Sequence, residues 1–110
     1  MNSRSARLAQ NEGVFRAGNE AIDSNLAAGG LEGQRPYLCE CGDAACFDRV
    51  SLTGAEYEAI RAHPARFFVA RGHEDLSAGE IVVEETVRCT VVEKQDDERK
   101  VVERTDPRAA

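Results

Sequence analysis

The chain has 110 residues, 42% hydrophobic and only 5% aromatic, with a net charge of -6 and an isoelectric point near 4.9. That length holds one domain, and if both ends are loose the folded part is nearer ~75 to 85 residues, a size that often needs a metal, disulfides or oligomerisation. The acidic balance argues against nucleic acid as a partner, since neutralising phosphates needs a basic face. No run of about 18 apolar residues occurs, so no membrane partner is expected, and residues 1–7 lack the apolar core of a secretory signal, so a cytoplasmic location is expected.

Leu8, Phe15 and Ile22 recur at seven-residue spacing, with Val14, Ala21 and Leu26 widening the stripe, which predicts an amphipathic helix over residues 8–28. Gly13 and Gly18 each weaken it by about 1 kcal/mol relative to alanine. The helix therefore needs a surface to dock on, either its own domain or a second subunit in a homo-oligomer. Residues 28–36 are glycine-rich and end in Pro36, which reads as a flexible connection. The chain then divides into an N-terminal helix and linker (1–36), a compact domain (37–104) and a disordered tail (105–110).

Cys39, Cys41 and Cys46 place three of the four cysteines within eight residues. Residues 37–41 read as a strand whose period of two puts both first sulfurs on one face. Gly42-Asp43 turns the chain, Cys46 returns, and residues 48–52 leave as the second strand of a knuckle-like hairpin. Thiolate and imidazole are the ligands a structural zinc prefers, and clustered cysteines in a reducing compartment read as metal-binding before they read as disulfides.

Thr53 and Glu56 fit a capping box that opens a helix, with Tyr57, Ile60 and the stem of Arg61 facing inward. Pro64 stops that helix, and residues 66–70 follow as an aromatic strand ending at Gly72-His73. Residues 80–84 and 87–93 read as the two strands of a hairpin, although 81–83 also suit a short helix after Ser77. Residues 95–98 read as a polar turn, Val101-Val102 as an edge strand, and the tail frays. The fold class is α+β, with an N-terminal amphipathic helix, a zinc-knuckle-like hairpin, one short helix and a small antiparallel sheet.

The site set by this pattern is Zn2+ on Cys39, Cys41, Cys46 and His73 as a closed tetrahedral set; the fourth ligand is the least fixed, and if His73 is instead a solvent-exposed turn residue, Cys89 or water completes the site. Cys89 reads otherwise as a small buried hydrophobe, and His63, just before Pro64, as an exposed helix-end residue. The Cys-x-Cys-x4-Cys run is not a usual iron-sulfur spacing. Three thiolates make zinc a poor activator of water, and the deaminase pattern is absent. The adjacent acids Glu84-Glu85 and Asp96-Asp97 lack a calcium-loop pattern, and no phosphate loop, dinucleotide fingerprint or serine elbow occurs. These exclusions favour a non-enzymatic zinc module for protein interaction or regulation. The alternative is a thiol redox sensor that releases zinc on oxidation.

The chain resembles a family of small uncharacterised proteins from actinobacteria and other high-GC bacteria. The likeness runs through Asn11-Glu12-Gly13-Val14-Phe15-Arg16, Asn19-Glu20, Cys39-Glu40-Cys41-Gly42 with Cys46, and Arg49-Val50-Ser51-Leu52-Thr53 with Glu56-Tyr57. It continues in Gly72-His73-Glu74, Val91-Val92-Glu93-Lys94 and Thr105-Asp106-Pro107-Arg108. The resemblance implies no established activity. It does imply three clustered cysteines with the histidine of Gly-His-Glu, favouring His73 as fourth ligand, and Cys89 departs from the aromatic or aliphatic residue usual there.

Overall fold

The computed structural model describes residues 3–26 and 33–109; residues 28–32 of the expected connection lie outside the described residues. Helix α1 covers Ser3–Leu26, β1 Gln34–Leu38, β2 Arg49–Thr53, α2 Gly54–Arg61, β3 Arg66–Val69, β4 Glu80–Glu85, β5 Thr90–Lys94 and α3 Asp96–Arg104, with a 3₁₀ turn at Leu76–Ala78. This is a small α+β fold with an N-terminal helix and two antiparallel sheets, β1 with β2, and β3, β5 and β4 in that order. Among the described residues no helix is long and apolar enough to cross a membrane.

In the first sheet Tyr37 lies opposite Val50 and Arg35 opposite Leu52, so alternate residues turn inward as strand geometry requires. The strand starts and ends three residues earlier than the 37–41 segment expected. Cys39 N still donates to Asp48 O at 3.1 Å, but Glu40 N turns to Phe68 O at 3.0 Å. Glu40 Oε1 in turn accepts the Phe68 N–H at 3.3 Å. The chain thus changes partner from β2 to β3 within one residue, and Glu40 satisfies both main-chain groups of Phe68 on the outer edge of β3.

Alternation along β3 and β5 divides the core between the two faces of the second sheet. Phe67 lies opposite Val92 and Phe68 opposite Val91. Phe67 and Val92 meet Val102 of α3, whereas Phe68 and Val91 join Tyr37, Val50, Leu52, Tyr57 and Cys89. The Tyr37 and Tyr57 rings stack with centroids 4.5 Å apart, and Phe68 meets both edge-on. The β4–β5 hairpin forms as expected, with a bulge between Val82 and Glu84. The capping box at Thr53 also forms, Glu56 N donating to Thr53 Oγ1 at 3.1 Å and Thr53 N to Glu56 Oε1 at 2.8 Å.

The polar turn and the Val101-Val102 edge strand are corrected: residues 96–104 form a third helix, α3. Asp96, Asp97 and Glu98 occupy its first turn and Arg104 its last, as the helix dipole favours. Only Val102 is buried on it, so two adjacent valines do not make a two-sided strand here.

The larger correction concerns α1. The expected apolar stripe forms only one flank of the docking face: Leu8, Phe15 and Ile22 are half-buried and Ile22 packs against the main core, whereas Val14 is 68% exposed and Ala21 is exposed. Among the described side chains of α1, those buried are Ala9, Glu12, Arg16 and Asn19. Spacings of four and three put Glu12, Arg16 and Asn19 on one helix face, and burial of such groups requires partners. Glu12 meets Lys94 at 2.8 Å, and Lys94 also holds Glu80 at 2.7 Å. Arg16 donates to Pro64 O at 2.8 Å and Arg66 O at 2.6 Å, with its guanidinium 3.7 Å above the Phe67 ring centroid. Asn19 brackets Leu38, donating to its carbonyl at 3.0 Å and accepting its N–H at 2.7 Å.

The chain end, expected to fray, is tied into the same network. Asp106 Oδ1 lies 2.5 Å from Arg61 Nη2, Asp106 Oδ2 lies 3.7 Å from Arg16 Nη1, and Arg108 bridges Glu20 and Glu58. Arg61 therefore buries its guanidinium as well as its stem.

Candidate metal centre

The loop between β1 and β2 carries the three clustered cysteines, and the turn after β3 brings His73 to them. Turn hydrogen bonds close both pieces: Cys46 N donates to Asp43 O at 2.9 Å and His73 N to Ala70 O at 2.9 Å. Asp43 also accepts the Ala45 N–H on its carboxylate at 2.9 Å. Gly42 has φ +81°, and a Cβ there would lie 3.0 Å from Leu8 O and from Glu12 Cγ, so both the backbone and the overlying helix require glycine.

The ligand atoms of Cys39, Cys41, Cys46 and His73 all lie within 4.8 Å of one another. His73 Nδ1 is 3.6 Å from Cys39 Sγ and 3.6 Å from Cys46 Sγ. A tetrahedral zinc with bonds of about 2.3 Å to sulfur and 2.0–2.1 Å to nitrogen would separate such atoms by about 3.5 Å, so the spacing fits a metal. The far ring nitrogen, Nε2, lies 3.3 Å from Asp48 Oδ2. That is the arrangement in which a carboxylate fixes the tautomer of a metal-bound imidazole.

The surroundings suit thiolates once a cation is among them. Burial pushes the Cys39 thiol up and the Cys41 thiol up as well, while main-chain donors from Ala70 and Asp43 pull the other way. Ala70 N donates to Cys39 Sγ at 3.2 Å. A divalent cation at the centre reverses the balance and deprotonates its thiols outright. The donor set, three sulfurs and one imidazole, is of the type that selects zinc over hard cations.

The other residues singled out stand apart from this cluster. Cys89 is 1% exposed in the main core, near Thr86 Oγ1 at 3.7 Å, as a small buried hydrophobe would be. His63 is exposed after α2, and Glu84, Glu85, Asp96 and Asp97 are exposed. Sequence reasoning missed Asp48, Glu40 and Asn11. Asp48 sits two residues after Cys46 with no pattern pointing to His73. Glu40, between Cys39 and Cys41, is fully buried and accepts from Asn19 at 2.9 Å, whereas Asn11 donates to Gly42 O at 2.8 Å. Compared with protein-family models, curated proteins and solved structures, the chain finds no match.

Proposed function

We propose that Cys39, Cys41, Cys46 and His73 hold one zinc ion as a closed structural site, and that the chain is a small cytoplasmic module for protein interaction or regulation. The convergence of four ligand atoms within 4.8 Å carries the proposal. The soft donor set and the Asp48 carboxylate on the far side of the imidazole support it. A site closed by four protein ligands leaves no position for a reacting water, which favours a structural over a catalytic role. The same assignment agrees with the small actinobacterial family the chain resembles.

For the partner, we propose a protein. Phe47 follows the last clustered cysteine and is 85% exposed, an aromatic anchor of the kind that dominates binding energy when a partner buries it. The test is the metal content of untagged protein purified under reducing conditions. One zinc per chain, lost on mutation of Cys41 and kept on mutation of Cys89, is the expected result. A folded chain with four free thiols and no metal overturns the proposal.

A further inference from the structure

Cys41 and Cys46 are half-buried whereas Cys39 is 2% exposed. A groove of about 700 Å³ reaches Cys41 and His73 between α1 and the cysteine loop, and Arg4, Arg7 and Asn11 line its α1 side. Small polar molecules thus have access to one edge of the centre. Cys39 and Cys41 are separated by one residue and cannot easily bridge to each other. Cys41 and Cys46 are separated by four, in a turn closed by Cys46 N on Asp43 O, and their sulfurs lie within 4.8 Å.

The same loop carries α1. Asn11 donates to Gly42 O at 2.8 Å, Gly42 packs directly beneath Leu8 and Glu12, and Asn19 donates to Glu40 Oε2 at 2.9 Å. Any change in the path of residues 39–46 therefore reaches three successive turns of the helix.

We propose that Cys41 and Cys46 form a peroxide-responsive pair: oxidation joins them in a disulfide, expels the metal and loosens α1 from the loop. This rests on the metal-centre reading above. The Cys41 thiolate attacks one oxygen of hydrogen peroxide; the O–O bond breaks, hydroxide leaves, and an S–O bond forms as sulfenic acid. The Cys46 thiolate then attacks the Cys41 sulfur, the S–O bond breaks, a second hydroxide leaves, and the S–S bond forms. Solvent protonates both hydroxides to water. Peroxide gains the two electrons that the two sulfurs lose. With two of its four ligands removed, the metal dissociates.

The experiment treats metal-loaded full-length protein with hydrogen peroxide. It follows metal release with a chromogenic chelator, thiol state by peptide mapping, and α1 by amide hydrogen exchange. Expected are release of the metal, a Cys41–Cys46 disulfide with Cys89 still a thiol, faster exchange in α1 than in β3 and β5, and reversal by a thiol reductant with added zinc. Retention of the metal with both thiols intact overturns the proposal, as does oxidation falling first on Cys89 or unchanged exchange in α1. A chain purified without metal overturns the centre itself; on that chain the disulfide and the α1 exchange remain the readouts of this proposal.

Discussion

Asp106 Oδ1 lies 2.5 Å from Arg61 Nη2, with the two side chains 5% and 0% exposed, so the last residues of the chain neutralise a guanidinium buried in its interior. Removing one partner of a buried pair costs roughly 3–5 kcal/mol when the other charge is left uncompensated; Glu20, 3.4 Å from the same Arg61 Nη2, holds the cost here to the lower end of that range. Asp106→Ala is expected to destabilise by about that amount, and deletion of residues 105–110 by at least as much. Urea denaturation reads both, and a truncated chain as stable as the full one contradicts the assignment.

The docking face of α1 gives a paired prediction. Asn19 is fully buried and makes three hydrogen bonds, two to Leu38 and one to Glu40. Asn19→Ala orphans the Leu38 main chain and Glu40 Oε2 and is expected to cost ~2–3 kcal/mol. Val14→Ser, on the exposed side, is expected to stay within about 0.5 kcal/mol of the parent. An apolar docking face would reverse this order in thermal melts.

The pH dependence follows from Glu12. Burial raises its carboxyl from 4.5 to about 8, against the pull of Lys94, and the charged groups facing it are Lys94 of β5, Glu80 of β4 and Glu40 of the cysteine loop. The unfolded chain loses this proton near pH 4.5 and the folded chain keeps it to about pH 8. Between those values the folded state binds more protons, so stability is fully present below the lower value and falls as pH rises. Glu12→Gln, neutral at every pH, is expected to remove up to ~1.4 kcal/mol per pH unit from that slope. Denaturation midpoints measured across pH 5 to 8 test this, and an unchanged slope would exclude Glu12 as its source.

For the metal, Cys41→Ser is expected to destabilise the fold as severely as chelation does. Asp48→Asn leaves four ligands but weakens the hold on the imidazole, and a loss of about 10- to 100-fold in metal affinity is expected. Competition with a chromogenic chelator measures it. His63→Ala should leave affinity unchanged.

What the sequence announced was local. Thr53 and Glu56 signal a helix start by their spacing alone, the aromatic run at 67–68 signals a buried strand, and Cys39, Cys41 and Cys46 signal a metal by residue type and proximity. The polar face of α1 was illegible because its partners are distant: Arg16 answers to Pro64, Arg66 and Asp106, and Glu12 to Lys94. Apolar periodicity detects only faces buried against hydrocarbon, so Leu8, Phe15 and Ile22 marked one flank of the docking face and left its polar centre unread. Helix α3 escaped because Gln95 makes no side-chain cap and a two-residue apolar run carries no period. Its acidic first turn and the Arg99–Glu103 pair at 3.3 Å were the readable signs.

The pairing of Glu40 with Phe68 has a consequence for assembly. A three-stranded sheet has two open margins, each a template for another chain's backbone. The β4 margin is interrupted by a bulge and carries the exposed charges of Glu84 and Glu85. The β3 margin is covered by the cysteine loop, through Glu40 on Phe68, and by Arg16 of α1 on Arg66 O. On the proposed metal site, loss of the ion is expected to free this loop and expose part of β3, so that a chain stripped of metal aggregates more readily as well as losing stability.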